Sequence, residues 1–164
     1  MASGHHRVHH VGRGGHAVAV HGHRHRTLLR LTPAAIARDL DEAYDAIAAH
    51  TGASPVLHRP PYGIYSWPGL AEVRRRGWAP TLWSRWGHDW RGRTTPARIA
   101  AEVTRDLRPG DVLLLHDGDD YSAPGCWRNT VAALPEILTA CDRAARTSGA
   151  PQPSPSSAGP PGAP

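Results

Sequence analysis

Apolar residues in this 164-residue chain fall into two kinds of stretch, one at helical spacing and one in short unbroken runs. Ile36, Leu40, Tyr44 and Ile47 recur every three or four residues behind Thr32-Pro33 and stop at Gly52. That is a capped helix with proline at its first position and glycine at its end. Thr95-Pro96 repeats the device, with Ile99, Val103 and Leu107 as one face and Pro109-Gly110 as the stop. A short helix is predicted around Leu70 to Arg75, closed by Gly77, and a last one within Thr130 to Arg146, where Pro135 obscures the start. Between them lie Ala17-Val18-Ala19-Val20, Val56-Leu57, Thr81-Leu82-Trp83 and Val112 to Leu115, each short and apolar enough for a buried strand. Strands alternating with amphipathic helices predict βαβ units, a largely parallel sheet and an α/β fold.

The ends break this pattern. Met1 to Gly15 is rich in His, Gly and Arg without periodicity, and Thr147 to Pro164 is Ser, Pro, Gly and Ala. Neither offers anything to bury, so residues 1–15 and 147–164 are expected to be disordered, flanking a single domain over 16–146. No apolar run reaches the roughly 20 residues of a membrane span, and none at the start has signal-peptide form. As written, the sequence therefore carries no export signal. All 19 basic residues are arginine and the formal charge is +5. Only Arg74-Arg75-Arg76 forms a run, and no groove-entering motif accompanies it, which argues against a nucleic-acid partner. Cys126 and Cys141 are too few for a disulfide framework or a Cys-rich metal site.

The chemistry-bearing residues follow the predicted strands. His21 and His25 are four apart, a spacing that places two imidazoles on one side of a helical turn and lets them share a divalent cation. In Arg59-Pro60-Pro61-Tyr62-Gly63 the prolines fix the backbone, the glycine permits a tight turn, and the guanidinium is suited to holding a carboxylate. Asp89-Trp90 sets a carboxylate beside a flat apolar side chain. Leu113-Leu114-Leu115-His116-Asp117 is a buried strand ending on an imidazole. Barrels of alternating strands and helices collect such groups at the C-terminal ends of their strands. Arg59, Asp89 and His116 are accordingly expected to serve one site.

Taken in order, His21-Gly22-His23-Arg24-His25, the Arg59–Gly63 loop, Asp89-Trp90 and Leu113–Asp117 resemble the second to fifth motifs of the polysaccharide deacetylase family, whose NodB-type domain hydrolyses N-acetyl or O-acetyl groups on sugars. The resemblance covers roughly His16 to Arg146 and implies a distorted (β/α) barrel whose first β-α units are missing. The family's opening Thr-Phe-Asp-Asp-Gly motif is not found, and no Asp or Glu precedes Asp39. Gly22 stands where Ser or Thr is usual.

By this resemblance His21 and His25 are metal ligands, with zinc the expected ion and an aspartate of the absent motif as third ligand. Arg59 would orient a catalytic aspartate. The Tyr62 amide would polarise the acetyl carbonyl, and Trp90 would wall the groove. Asp89 would support His116 as proton donor to the departing amine, and Leu114 would face the acetyl methyl. The implied partner is an acetylated polysaccharide or oligosaccharide. Two other readings stand beside the hydrolase. One is an inactive remnant or carbohydrate-binding module; the other is a His-rich metal-binding protein working through His5 to His25, since eight of the twelve His residues lie in the first 25 positions.

Overall fold

The structure, a computed structural model, describes residues 16–147. The expectations for 1–15 and for the tail after Thr147 lie outside those residues. The chain divides into two compact units, the first ending at Leu82 and the second beginning at Trp83.

In the first unit, helix α1 (Pro33–Thr51) begins where Thr32 Oγ1 accepts the Ala35 amide at 3.2 Å and ends at Gly52, whose φ of 68° is left-handed. Strand β1 (Leu57–His58), helix α2 (Trp67–Arg75) and strand β2 (Ala79–Pro80) follow. β1 lies parallel to β2, and Val20 forms a parallel bridge on the other side of β1. Val20 both donates to Leu57 O and accepts from Arg59 N, at 2.8 and 2.9 Å. α2 starts three residues before its predicted position because Ser66 Oγ accepts the Gly69 amide and Pro68 suits the first turn. The core is Val20, Leu28, Ile36, Leu40, Ala43, Val73 and Trp78.

The expected strand Thr81-Leu82-Trp83 is not formed, and the pairing residues lie on either side of it. Ala79 and Thr81 donate to Val56 O and His58 O, both at 2.8 Å, so the ladder needs no donor from Pro80 between them. The next strand, β3 (Arg85–Trp86), belongs to the second unit and pairs parallel with β4 (Leu113–Leu114).

In that second unit, α3 (Pro96–Thr104) is capped by Thr95 as expected but stops before Leu107. Thr104 Oγ1 bonds back to Ala100 O at 2.7 Å, Asp106 takes a φ of 51°, and the Arg85 guanidinium binds the carbonyls of Arg105 and Asp106. α4 (Trp127–Thr147) begins before Thr130 and carries Pro135 within it. The Val131 carbonyl loses a donor there, on a residue that is 50% exposed. Ile99, Ala100, Val103, Ala133 and Ile137 form the core. Gly87 is obligatory against it, because a Cβ there would lie 2.9 Å from Ile99 O.

His58 is a polar residue sealed in the first unit. Its Nδ1 donates to the Tyr65 hydroxyl at 2.8 Å, and that hydroxyl donates to His58 O at 2.9 Å. Nε2 is buried without a partner among the described residues. Burial, with a smaller push from His21 and an opposing pull from Asp39, lowers the imidazole pKa from 6.5 to about 4. As pH falls through this window the unfolded chain takes up the proton first. The stability is therefore whole above pH 6.5 and drains away down to about 4. Glu72, lowered from 4.5 to about 2, and Asp111, lowered from 3.8 to about 2, lose their contributions from about pH 4.5 downward and so overlap only the bottom of that window. His58→Phe is expected to flatten the pH dependence of urea unfolding of this unit between those limits, where the wild-type chain loses up to about 3 kcal/mol. An unchanged slope would rule His58 out as the source.

Candidate active site

In the first unit the residues after Val20 leave the sheet in a loop that is not helical, contrary to the reading of the His21–His25 spacing. Gly22 and His25 adopt left-handed φ values of 79° and 48°. These turns bring the two rings to 5.0 Å between centroids, edge to face at 71°. The Tyr62 ring then packs on His25 at 4.8 Å. One carboxylate anchors the loop. Asp39, only 2% exposed, accepts the His23 amide at 3.0 Å and the Arg26 guanidinium at 3.1 Å. A Cβ on Gly22 would meet its Oδ2 at 2.9 Å, so glycine is required both by φ and by space.

His21 Nδ1 lies 2.6 Å from Arg59 O. A carbonyl only accepts, so Nδ1 carries the proton and Nε2 is the basic nitrogen. This is how metal-ligating histidines are held in one tautomer. Two neutral imidazoles fit two positions of a catalytic metal site, which needs three protein ligands. No group of three candidate ligands occurs among the described residues.

The Pro60-Pro61 loop closes through Gly63 N donating to Pro60 O at 3.0 Å, with Tyr62 and Gly63 at φ 60° and 71°. Tyr62 is exposed. The Arg59 guanidinium is partly buried, which lowers its pKa, and it has no ion-pair partner among the described residues.

In the second unit Asp89 is 1% exposed and follows His88, whose φ is 52°. Its Oδ1 accepts His116 Nδ1–H at 2.9 Å, and its Oδ2 accepts the His116 amide at 2.6 Å and the Thr130 hydroxyl at 3.0 Å. Burial pushes the Asp89 pKa up, but the bonds from His116 and Thr130 outweigh it and hold the carboxyl below its ordinary value. His116 is left with Nε2 as its basic nitrogen on a side chain 34% exposed. The Trp90 ring stands edge to face with His116 at 5.7 Å and 81°. Leu114 is buried.

The structure thus brings together His21, His25, Arg59 and Tyr62 in the first unit, and Asp89, Trp90 and His116 in the second. Sequence reading passed over Asp39 and Thr130. Asp39 was detectable, since it sits on the apolar face of α1 between Ile36 and Leu40, where a charge needs a partner. Thr130 gave no such sign. Asp39→Ala is expected to cost about 1–3 kcal/mol, by leaving the His23 amide and Arg26 without their acceptor. Denaturant unfolding gives the cost, and faster hydrogen exchange at the His23 amide would report the freed loop.

A polysaccharide deacetylase family model matches residues 2–80. A chitooligosaccharide deacetylase of Bradyrhizobium sp. (strain ANU 289) is 39% identical over 105 residues, spanning 63% of this chain and 48% of that protein. Another from Rhizobium leguminosarum bv. trifolii is 33% identical, over 81% of this chain and 64% of its own length. This chain therefore spans between about half and just under two thirds of the length of these curated relatives. Among solved structures, a family 4 carbohydrate esterase from Streptomyces lividans in complex with acetate superposes with a TM-score of 0.74 at 27% identity, covering 87% of this chain and 69% of that one. The fold is accordingly part of a distorted (β/α) barrel of that type.

Proposed function

The chain belongs to the polysaccharide deacetylase family, and from that premise we propose that it supplies the metal-binding and proton-donating parts of a hydrolase that removes acetyl groups from N-acetylated sugars of a polysaccharide or oligosaccharide. The observation that carries this reading is tautomer control at two histidines. His21 Nδ1 is committed to a carbonyl and His116 Nδ1 to a carboxylate, so in each neutral ring Nε2 is the basic nitrogen.

His21 and His25 would hold a divalent cation, zinc in the first instance, with a carboxylate from outside the described residues as third ligand. A cation so held would lower the pKa of a water and polarise the acetyl carbonyl. The Arg59 guanidinium, partly buried and with no ion-pair partner among the described residues, is suited to orienting a second carboxylate, the general base, by two parallel hydrogen bonds. The Tyr62 amide donates to the carbonyl oxygen as negative charge develops on it. His116 takes a proton at Nε2, the adjacent Asp89 charge stabilises the resulting imidazolium, and the proton passes to the departing amine. Trp90 packs beside that imidazole and walls the sugar site, and Leu114 backs the acetyl methyl.

A second reading, a non-catalytic carbohydrate-binding relative, is favoured by one observation: no third ligand and no general base stand beside the two histidines among the described residues. The two readings separate on acetate release from acetylated chito-oligosaccharide with added zinc or cobalt. The protein joined to a segment bearing Thr-Phe-Asp-Asp-Gly is expected to turn over, and His116→Ala in it to lose about 10²–10⁴-fold in rate. No turnover by the joined protein would favour the binding module. For the metal, His21→Ala with His25→Ala is expected to abolish one-to-one zinc binding by calorimetry. Affinity retained through His5, His6, His9 and His10 would instead support the metal-binding tract.

A further inference from the structure

Asp89 is gripped from two directions, and one of them has no part in the chemistry above. His116 uses its ring on Oδ1 and its amide on Oδ2. The remaining donor is Thr130, 4% exposed, in the first turn of α4. Asn129 beside it donates to Thr94 O at 3.1 Å, and Thr94 Oγ1 donates to His88 O at 3.0 Å. The first turn of α4 therefore touches the 88–94 loop at Asp89 itself and at its far end. The N-terminal end of a helix also favours a negative charge beside it.

We infer that Thr130 is a positioning residue: its hydroxyl fixes the Asp89 carboxylate so that Oδ1 stays on His116 Nδ1 and the imidazole stays in the Nδ1–H tautomer. The inference rests on the reading in which His116 Nε2 handles the proton, and adds the residue that aims it. Rotation of the Asp89 carboxylate is what the hydroxyl prevents. With Oδ2 tied to Thr130 and to the His116 amide, Oδ1 has one direction left. The groups facing Asp89 are few. They are the His116 ring and amide from the end of β4, Thr130 from α4, and the Cys126 thiol just before α4. That thiol is raised by burial, then by Asp119, then by Asp89 itself, so it adds no second negative charge.

The test compares wild type, Thr130→Val and Thr130→Ser by NMR of the ¹⁵N-labelled His116 ring and the ¹³C-labelled Asp89 carboxyl, with His116→Gln to assign the ring. Valine keeps the shape and removes the donor. It is expected to shift His116 toward the Nε2–H tautomer and to raise the Asp89 pKa by roughly one unit or more, the change expected on losing one hydrogen bond to a charged group. Serine is expected to restore both. Wild-type signals in Thr130→Val would overturn the inference. If that variant does not fold, the wild-type protein carries the same test. A Thr130 hydroxyl proton that exchanges slowly and speeds up as Asp89 is protonated supports the role; one in fast exchange at neutral pH overturns it. None of these signals needs turnover, so an absence of acetate release would count against the deacetylase reading and leave this one standing.

Discussion

A carboxylate taken out of water must find a donor for almost every lone pair, because an unpaired buried charge costs far more than any single contact returns. Each unit of this chain is organised around one such group. Asp39 meets the requirement by drawing the His23 amide and Arg26 onto the apolar face of α1, and the loop so drawn is the one that carries His21 and His25. Asp89 meets it with the amide and ring of His116 and the hydroxyl of Thr130. In both cases the satisfied carboxylate accepts a backbone amide of the segment that carries an imidazole. Its demand for donors is what gives a flexible segment a single conformation. Gly22 shows how closely the fit is drawn, since one added carbon would collide with Asp39 Oδ2.

Much of this was legible in the residues. The Thr-Pro caps and Gly52 fixed α1 and the start of α3 because those devices act locally, on amides one turn away. Within each unit, the placement of His21 and Arg59, or of His116, just beyond pairing residues follows from strands that run parallel to their partners. The misreadings have the opposite character. Thr81-Leu82-Trp83 looked like a strand by composition, yet pairing was decided by which amides face β1 and by the donor that Pro80 lacks. Just past the end of α3 the chain is held by Arg85, a residue distant in sequence whose guanidinium binds the carbonyls of Arg105 and Asp106. The helical spacing of His21 and His25 was a coincidence of count. Two left-handed residues and a distant aspartate bring the rings together, and spacing carries no information about either.

The two histidines with defined tautomers illustrate why a metal site and a proton donor can share one design. A neutral imidazole has one basic nitrogen, and which one is basic depends on what holds the other. At His21 the holder is the Arg59 carbonyl, which is neutral and claims the Nδ1–H, so Nε2 is the basic nitrogen of the neutral ring. At His116 the holder is an ionised carboxylate, which fixes the same tautomer and sets a negative charge beside the ring. The same geometry thus yields two chemistries according to the charge of one oxygen.

Arg59 serves the first unit through both its main chain and its side chain. Its backbone carbonyl fixes His21 while its side chain, partly buried, pairs with nothing among the described residues. One residue therefore orients the proposed metal-ligating ring through its main chain, while its guanidinium, on a residue 38 positions away in sequence, is suited to a negative charge. Burying a cation without a partner is unfavourable, and the penalty is relieved when a carboxylate docks by two parallel bonds. Among the described residues no acidic group completes a ligand set with the two histidines and none pairs with Arg59, so under the proposed reading both call for a carboxylate on this side of the first unit. Under the proposed reading an aspartate-bearing segment would satisfy the two requirements together, which joins the histidine pair and the arginine in one arrangement.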